Sequence, residues 1–174
     1  HLEIFKQKNI EVLLLSDRVD EWLVANFGEY EELSFKSIAK GDLDDLDSKK
    51  EKKEKEKTAK DFEKVISKVQ EVLKDRVKEV KVSSRLSESP SCLVADENEL
   101  GSNMERIMKS LGQDIPDTKP ILEINPTHPL VEKLKKKVDE DLVKVLFDQA
   151  VLSEGGQIKE PAEFVKRMNK LMLG

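Results

Sequence analysis

Few side chains in this sequence are of a type that performs covalent or metal chemistry. Two histidines, His1 and His128, and one cysteine, Cys92, stand far apart along the chain. A zinc-type site needs closely spaced His and Cys ligands, and this set cannot supply them. His128 lies between Thr127 and Pro129, where entry into a helix is the simplest use for it. No Gly-x-Ser-x-Gly elbow occurs, and Cys92 has no His and Asn pattern to activate it. The seven glycines are scattered, and the pair Gly155 and Gly156 reads as a turn between helices, not as a phosphate-binding loop. Carboxylates are plentiful but fall on charged helical stretches, where solvation is their usual role. The residues encode no catalysis, no cofactor site and no metal site. What remains is association.

Two apolar sets stand out for that purpose. In residues 96–112, Asp96 with Glu99 reads as a capping box and Gly112 as a stop. Leu100, Met104, Ile107, Met108 and Leu111 then share one helical face. Packing on a core is the ordinary use of such a face. Its flexible thioethers also suit an adaptable docking surface, and Gly101, Ser102 and Asn103 weaken the helix start. The second set is the terminal helix pair. Leu142, Val143, Val145, Leu146, Phe147, Ala150, Val151 and Leu152, with Gln149 among them, cover too wide an arc for burial on one side. The last helix adds Phe164, Val165, Met168, Leu171, Met172 and Leu173. A second copy of the chain would cover both faces in an intermolecular four-helix bundle. Hiding about 800 Å² per chain would suffice for a stable interface.

These faces need elements to hold them. Ile10 to Leu15 reads as a buried strand, Ser16 and Asp17 as a helix start, and Val19, Trp22, Leu23 and Phe27 as the helix that follows. Leu33 to Ile38 alternates as a second strand. This partial α/β unit, residues 1–46, looks like the tail of a preceding domain. Residues 47–57 are almost all charged and mark a boundary, either a solvated linker or the polar start of a helix. Thr58 with Asp61 reads as a helix cap, followed by the apolar stripe Phe62, Val65, Ile66, Val69, Val72 and Leu73. Val80 and Val82 form a strand, Cys92 to Ala95 its antiparallel partner, and Ile121 to Ile124 a third. Helices are expected after Pro129, over about residues 139–153, and from Pro161 to about Leu173. Residues 58–174 are thus an α+β domain with a small mixed sheet and several helices.

Composition narrows the partners. Charged residues make up 39% and the net charge is -5, which disfavours nucleic acid and anionic membranes as general partners. No apolar run approaches the roughly 20 residues of a membrane-spanning helix, and no signal peptide is visible. A single cysteine fits a reducing, cytoplasmic setting. The chain opens at His1 without an initiator Met, which suggests a piece of something longer.

Five ordered motifs then carry a resemblance. They are Ser16-Asp-Arg-Val-Asp-Glu-Trp-Leu23, Phe35-Lys-Ser-Ile-Ala-Lys-Gly-Asp-Leu43, Arg85-Leu-Ser-Glu-Ser-Pro-Ser-Cys-Leu-Val94, Met104-Glu-Arg-Ile-Met-Lys109 and Glu123-Ile-Asn-Pro-Thr-His-Pro-Leu130. Together they resemble the C-terminal third of bacterial heat-shock-protein-90 chaperones of the HtpG type. The resemblance implies the end of the middle domain (1–46) and a complete dimerisation domain (58–174). It implies ATP and Mg in an N-terminal domain of the parent and none in this piece. It also implies homodimerisation through Leu142, Val145, Leu146, Gln149, Ala150, Phe164, Val165, Met168, Leu171 and Met172. Unfolded or partly folded clients would be met by Leu100, Met104, Ile107, Met108 and Leu111, with Trp22 beside them. The terminal Leu-Met-Leu-Gly lacks the acidic Glu-Glu-Val-Asp tail of eukaryotic members, which points to a bacterial protein. Two rival readings are a non-catalytic subunit of an enzyme assembly whose active site is completed elsewhere, and a coiled-coil adaptor. The strands and the lack of sustained heptads speak against the second.

Overall fold

The computed structural model describes residues 1–43, 46–97, 99, 102–114 and 118–174, with the backbone alone at Arg18, Glu21, Ala25, Ser102, Asn103 and Arg106. Among these it is a mixed α+β structure. The elements in order are α1 (Glu3–Gln7), α2 (Arg18–Asn26), β1 (Glu29–Tyr30), β2 (Leu33–Ser34), α3 (Lys49–Leu73), β3 (Glu79–Val82), β4 (Ser91–Val94), α4 (Ser102–Ser110), β5 (Ile121–Ile124), α5 (Pro129–Lys136), α6 (Glu140–Ser153) and α7 (Pro161–Leu173).

The core forms where the stripe of α3 meets the sheet and α6. Phe62, Val65, Val69 and Leu73 pack with Val80, Leu122, Ile124, Val131, Leu134, Leu142, Val143, Leu146, Phe147 and Ala150. The sheet order is β3-β5-β4, with β5 parallel to β3 and antiparallel to β4. Strand β5, the central one, is buried at all four positions, as its unbroken apolar character requires, Glu123 excepted. The expectation that Cys92 to Ala95 pairs with the Val80 strand is therefore corrected. Both strands pair with β5, whose central place buries Leu122 and Ile124 on one face and Ile121 and Glu123 on the other.

Three other sequence expectations change. Ile10 to Leu15 forms no strand, and Leu13 and Leu14 are about three-quarters exposed. Among the described residues no neighbouring chain offers them backbone hydrogen bonds, and a strand cannot stand without these. Pairing near Leu33 is limited to a two-residue hairpin with Glu29 and Tyr30. The charged run is helical from Lys49, so of its two readings the polar helix start holds. Ser48 is the true cap: its Oγ accepts from Glu51 N at 3.3 Å while Glu51 returns a bond to Ser48 N at 2.7 Å. Thr58 sits inside the helix, its hydroxyl donating to Glu54 O at 2.9 Å. Helix α4 spans Ser102–Ser110, residues 98, 100 and 101 lie outside the described ones, and Glu99 stands in a bend and not in a first helical turn. The carboxylates of Asp96 and Glu99 instead hold Lys78 Nζ, at 2.6 and 3.2 Å.

Several motif residues have plain structural uses. His128 Nδ1 accepts from Leu130 N at 3.2 Å and caps α5. Asn125 is buried and closes its loop, donating through its backbone to Pro90 O and through Nδ2 to Ser89 O. Gly155 has φ +72°, and the hydrogen bonds from Gly155 to Leu152 and from Gly156 to Val151 finish α6 as a Schellman-type stop. A Cβ on Gly156 would meet Val151 at 2.8 Å.

Candidate interaction surfaces

The terminal helix pair is built from α6 inward and α7 outward. Asp139 caps α6 by accepting from Asp141 N and Leu142 N. Leu142, Val145, Leu146 and Ala150 are all buried within the single chain, and Gln149 is half-buried. Ser91 Oγ donates to Leu146 O at 2.9 Å, tying α6 to β4. On the other side, Arg76 Nη2 meets Asp148 at 2.5 Å while its guanidinium lies 4.2 Å from the Phe147 ring. Helix α6 is therefore anchored to its own core on nearly every side.

Helix α7 is different. It packs on α6 through Leu171 and through ion pairs: Lys170 with Asp141 at 2.5 Å and Arg167 with Asp141 at 3.8 Å. The Lys170 ammonium holds the Asp141 carboxyl below its ordinary range. Yet none of its side chains is buried. Phe164, Met168 and Leu171 are half-buried, Val165 is 54% exposed and Met172 is 77% exposed. Leu173, and Leu152 at the end of α6, are also open. The sequence set thus divides by burial. Leu142, Val145, Leu146 and Ala150 belong to the chain's own core, Gln149, Phe164, Met168 and Leu171 are half-buried, and Val165 and Met172 are open.

The second candidate surface centres on α4. Leu100 lies outside the described residues. Met104, Ile107 and Met108 are half-buried, and Leu111, in the turn after the helix, is 72% exposed. No other described helix or strand packs broadly against α4. Its polar side is pinned by Glu105, which accepts from Lys109 Nζ at 2.7 Å and Thr118 Oγ1 at 2.9 Å. Burial raises the Glu105 pKa, but these hydrogen bonds outweigh it and bring the value down. Trp22 lies on α2 and is largely exposed.

A buried ionic cluster that sequence reading missed joins the first forty residues to the sheet. Arg85 is fully buried and grips Glu123 with two bonds, Nε at 3.0 Å and Nη2 at 2.9 Å. Ser83 Oγ adds a bond to the same carboxylate at 2.7 Å. The other guanidinium hydrogens reach the carbonyls of Ile38 and Gly41, each at 2.5 Å. Beside them, Gly41 N donates to Ala95 O and Ala95 N to Ala39 O, extending the edge of β4. Four of the five guanidinium N–H groups are satisfied, and all three nitrogens take part, which is what a buried charge needs. Near this cluster Cys92 is buried, and desolvation pushes its thiol pKa up, so it is a poor nucleophile. Among the described residues no group of His, Cys, Asp or Glu could hold a metal ion, and no helix is long and apolar enough to cross a membrane.

Among the described residues the arrangement offers apolar surfaces and a bonded joint between residues 38–41 and the sheet. A family model described as Hsp90 protein matches residues 1–174. The chain is 77% identical over 172 residues to the chaperone protein HtpG of Vesicomyosocius okutanii, covering 99% of this chain and 28% of that protein. It is 76% identical, with the same coverage, to the chaperone protein HtpG of Ruthia magnifica. Identity to the chaperone protein HtpG of Nitrosomonas europaea is 55% over 177 residues, again covering 99% and 28%. The chain thus spans little more than a quarter of the length of these relatives. With a family match that runs from the first residue to the last and such identity along the whole chain, this protein belongs to the Hsp90 family.

Proposed function

We propose that this chain is the homodimerisation and client-contact part of an ATP-dependent molecular chaperone that assists protein folding in the cytoplasm. Catalysis lies elsewhere in the parent, where ATP and magnesium would be held by an N-terminal domain. Residues 1–46 would end the preceding domain, 47–57 would mark the boundary and 58–174 would form the dimerisation domain. The observation that carries the reading is the open face of α7, a helix with an apolar stripe and no buried side chain. A second copy laid against it would cover Val165, Met168, Met172 and Leu152 by two-fold symmetry. The α4 face, with Met104, Ile107, Met108 and Leu111, would meet exposed apolar stretches of clients, with Trp22 on the same arm.

The test is the mass in solution by light scattering over a dilution series. Val165→Asp or Met172→Asp places a charge on the open face and should yield a folded monomer. Leu146→Asp is a different perturbation, since Leu146 is a core residue, and it should unfold the chain. A parent that stays monomeric at every concentration, or an aspartate variant that stays dimeric, would overturn the interface.

A further inference from the structure

The charged half of α3 is sorted by face in a way that its composition hides. Lys49, Lys53, Lys57, Lys60, Lys64 and Lys68 follow one another at spacings of four, four, three, four and four. At 3.6 residues per turn they fall within an arc of about 100°, and at 1.5 Å per residue they run for about 28 Å. All six are exposed, opposite the buried stripe of Phe62, Val65, Val69 and Leu73. Glu54 and Asp61 lie along one border of this arc and Glu56 and Glu63 along the other, while Glu71 falls within the arc just beyond Lys68. The acids nearest the helix start are engaged elsewhere, Asp47 with Lys8 and Lys55 and Glu51 with Lys8. Among the described residues none of the six lysines has an ion-pair partner. Lysines three and four apart on one face repel, and the acids three or four residues from them offset that repulsion within the helix.

We propose that this lysine row is a docking site for an acidic, extended polypeptide segment of a partner protein. The row is one helix wide and bordered by carboxylates, on a chain whose net charge is -5. A duplex or a membrane surface is broad and would meet those borders with repulsion. An extended peptide is narrow. Its same-side residues recur every 6.6–6.8 Å or so, so about five same-side acids span the roughly 28 Å of the row without matching the lysines one to one. The proposal does not depend on the dimer interface, since α3 and α7 present different faces.

The experiment uses the full chain and a labelled peptide of about sixteen residues alternating Glu and Ser, followed by fluorescence anisotropy at about 50 and about 200 mM salt. The same chain carrying Lys53→Gln, Lys57→Gln, Lys60→Gln and Lys64→Gln keeps helix propensity and serves as the variant, with circular dichroism as the fold control. The peptide should bind, weaken with salt and lose about tenfold or more in affinity in the variant. Three results would each overturn the proposal: no binding at low salt, equal binding by the folded variant, or tighter binding of a single-stranded oligonucleotide or an anionic vesicle.

Discussion

Arg85 and Glu123 lie 38 residues apart in sequence and share one buried set of bonds. Glu123 sits inside the apolar run Ile121 to Ile124, so the strand was legible from pattern while the purpose of its charge was not. Pairing needs a third dimension that periodicity does not carry. Breaking the pair should be costly: Arg85→Leu leaves a carboxylate buried without its partner, a loss of about 3–5 kcal/mol. The double change Arg85→Leu with Glu123→Leu should recover much of that, and denaturant melts of the two variants would separate them. A second anchor is Glu3, which accepts from the backbone N–H groups of Ser87, Glu88 and Ser89 at 2.6–3.2 Å. Partial burial opposes its ionisation, but these bonds prevail and lower its pKa from 4.5 to about 2. Because the folded value is depressed, its contribution is complete above about pH 4.5 and is lost as pH falls toward 2. Glu3→Gln should therefore lower the melting temperature at neutral pH, with the gap to the unmodified chain closing below pH 4.5. A gap that persists unchanged to pH 2 would contradict this.

At the scale of elements, most helices and three strands were readable because caps, stripes and alternation agreed. The errors have physical causes. The start of α3 was hidden by a run of charge with no apolar period, and Thr58 with Asp61 imitates a cap within a helix that had begun ten residues earlier. Substitution distinguishes the two: Ser48→Ala should cost about 1 kcal/mol, as loss of a true cap does. Thr58→Ala should stay within about 0.5 kcal/mol of the parent, since alanine is the better former in a helix interior. Strand pairing was the other failure. Alternation identifies a strand and one wet face, but it does not say which neighbour lies beside it, and here the later segment took the middle place. For the candidate surfaces, the spacing of apolar residues marked the apolar faces of α4, α6 and α7. It did not divide α6 from α7, because a helix packed on its own core and one with an open apolar face have the same period.

For the whole molecule, the proposed function gives the open faces of α7 and α4 different tasks, so they should respond separately. Met104→Ser with Met108→Ser should leave the dimer mass unchanged and weaken suppression of client aggregation several-fold, measured by light scattering of an unfolding client. Loss of the dimer in that variant, or undiminished suppression, would break the separation of roles. The Arg85 cluster fixes residues 38–41 to the sheet, and Ser91 fixes the sheet to α6.

The strand order has one more consequence, for the time before the fold exists. Strands β3 and β4 are not neighbours, and both wait for β5, which the ribosome delivers last. Until residues 121–124 emerge, a nascent chain exposes two unpaired edges and an arginine without its counter-ion. Such non-local closure is slow and leaves sticky intermediates. A member of a chaperone family is thus itself, while it is being made, the kind of substrate that needs one.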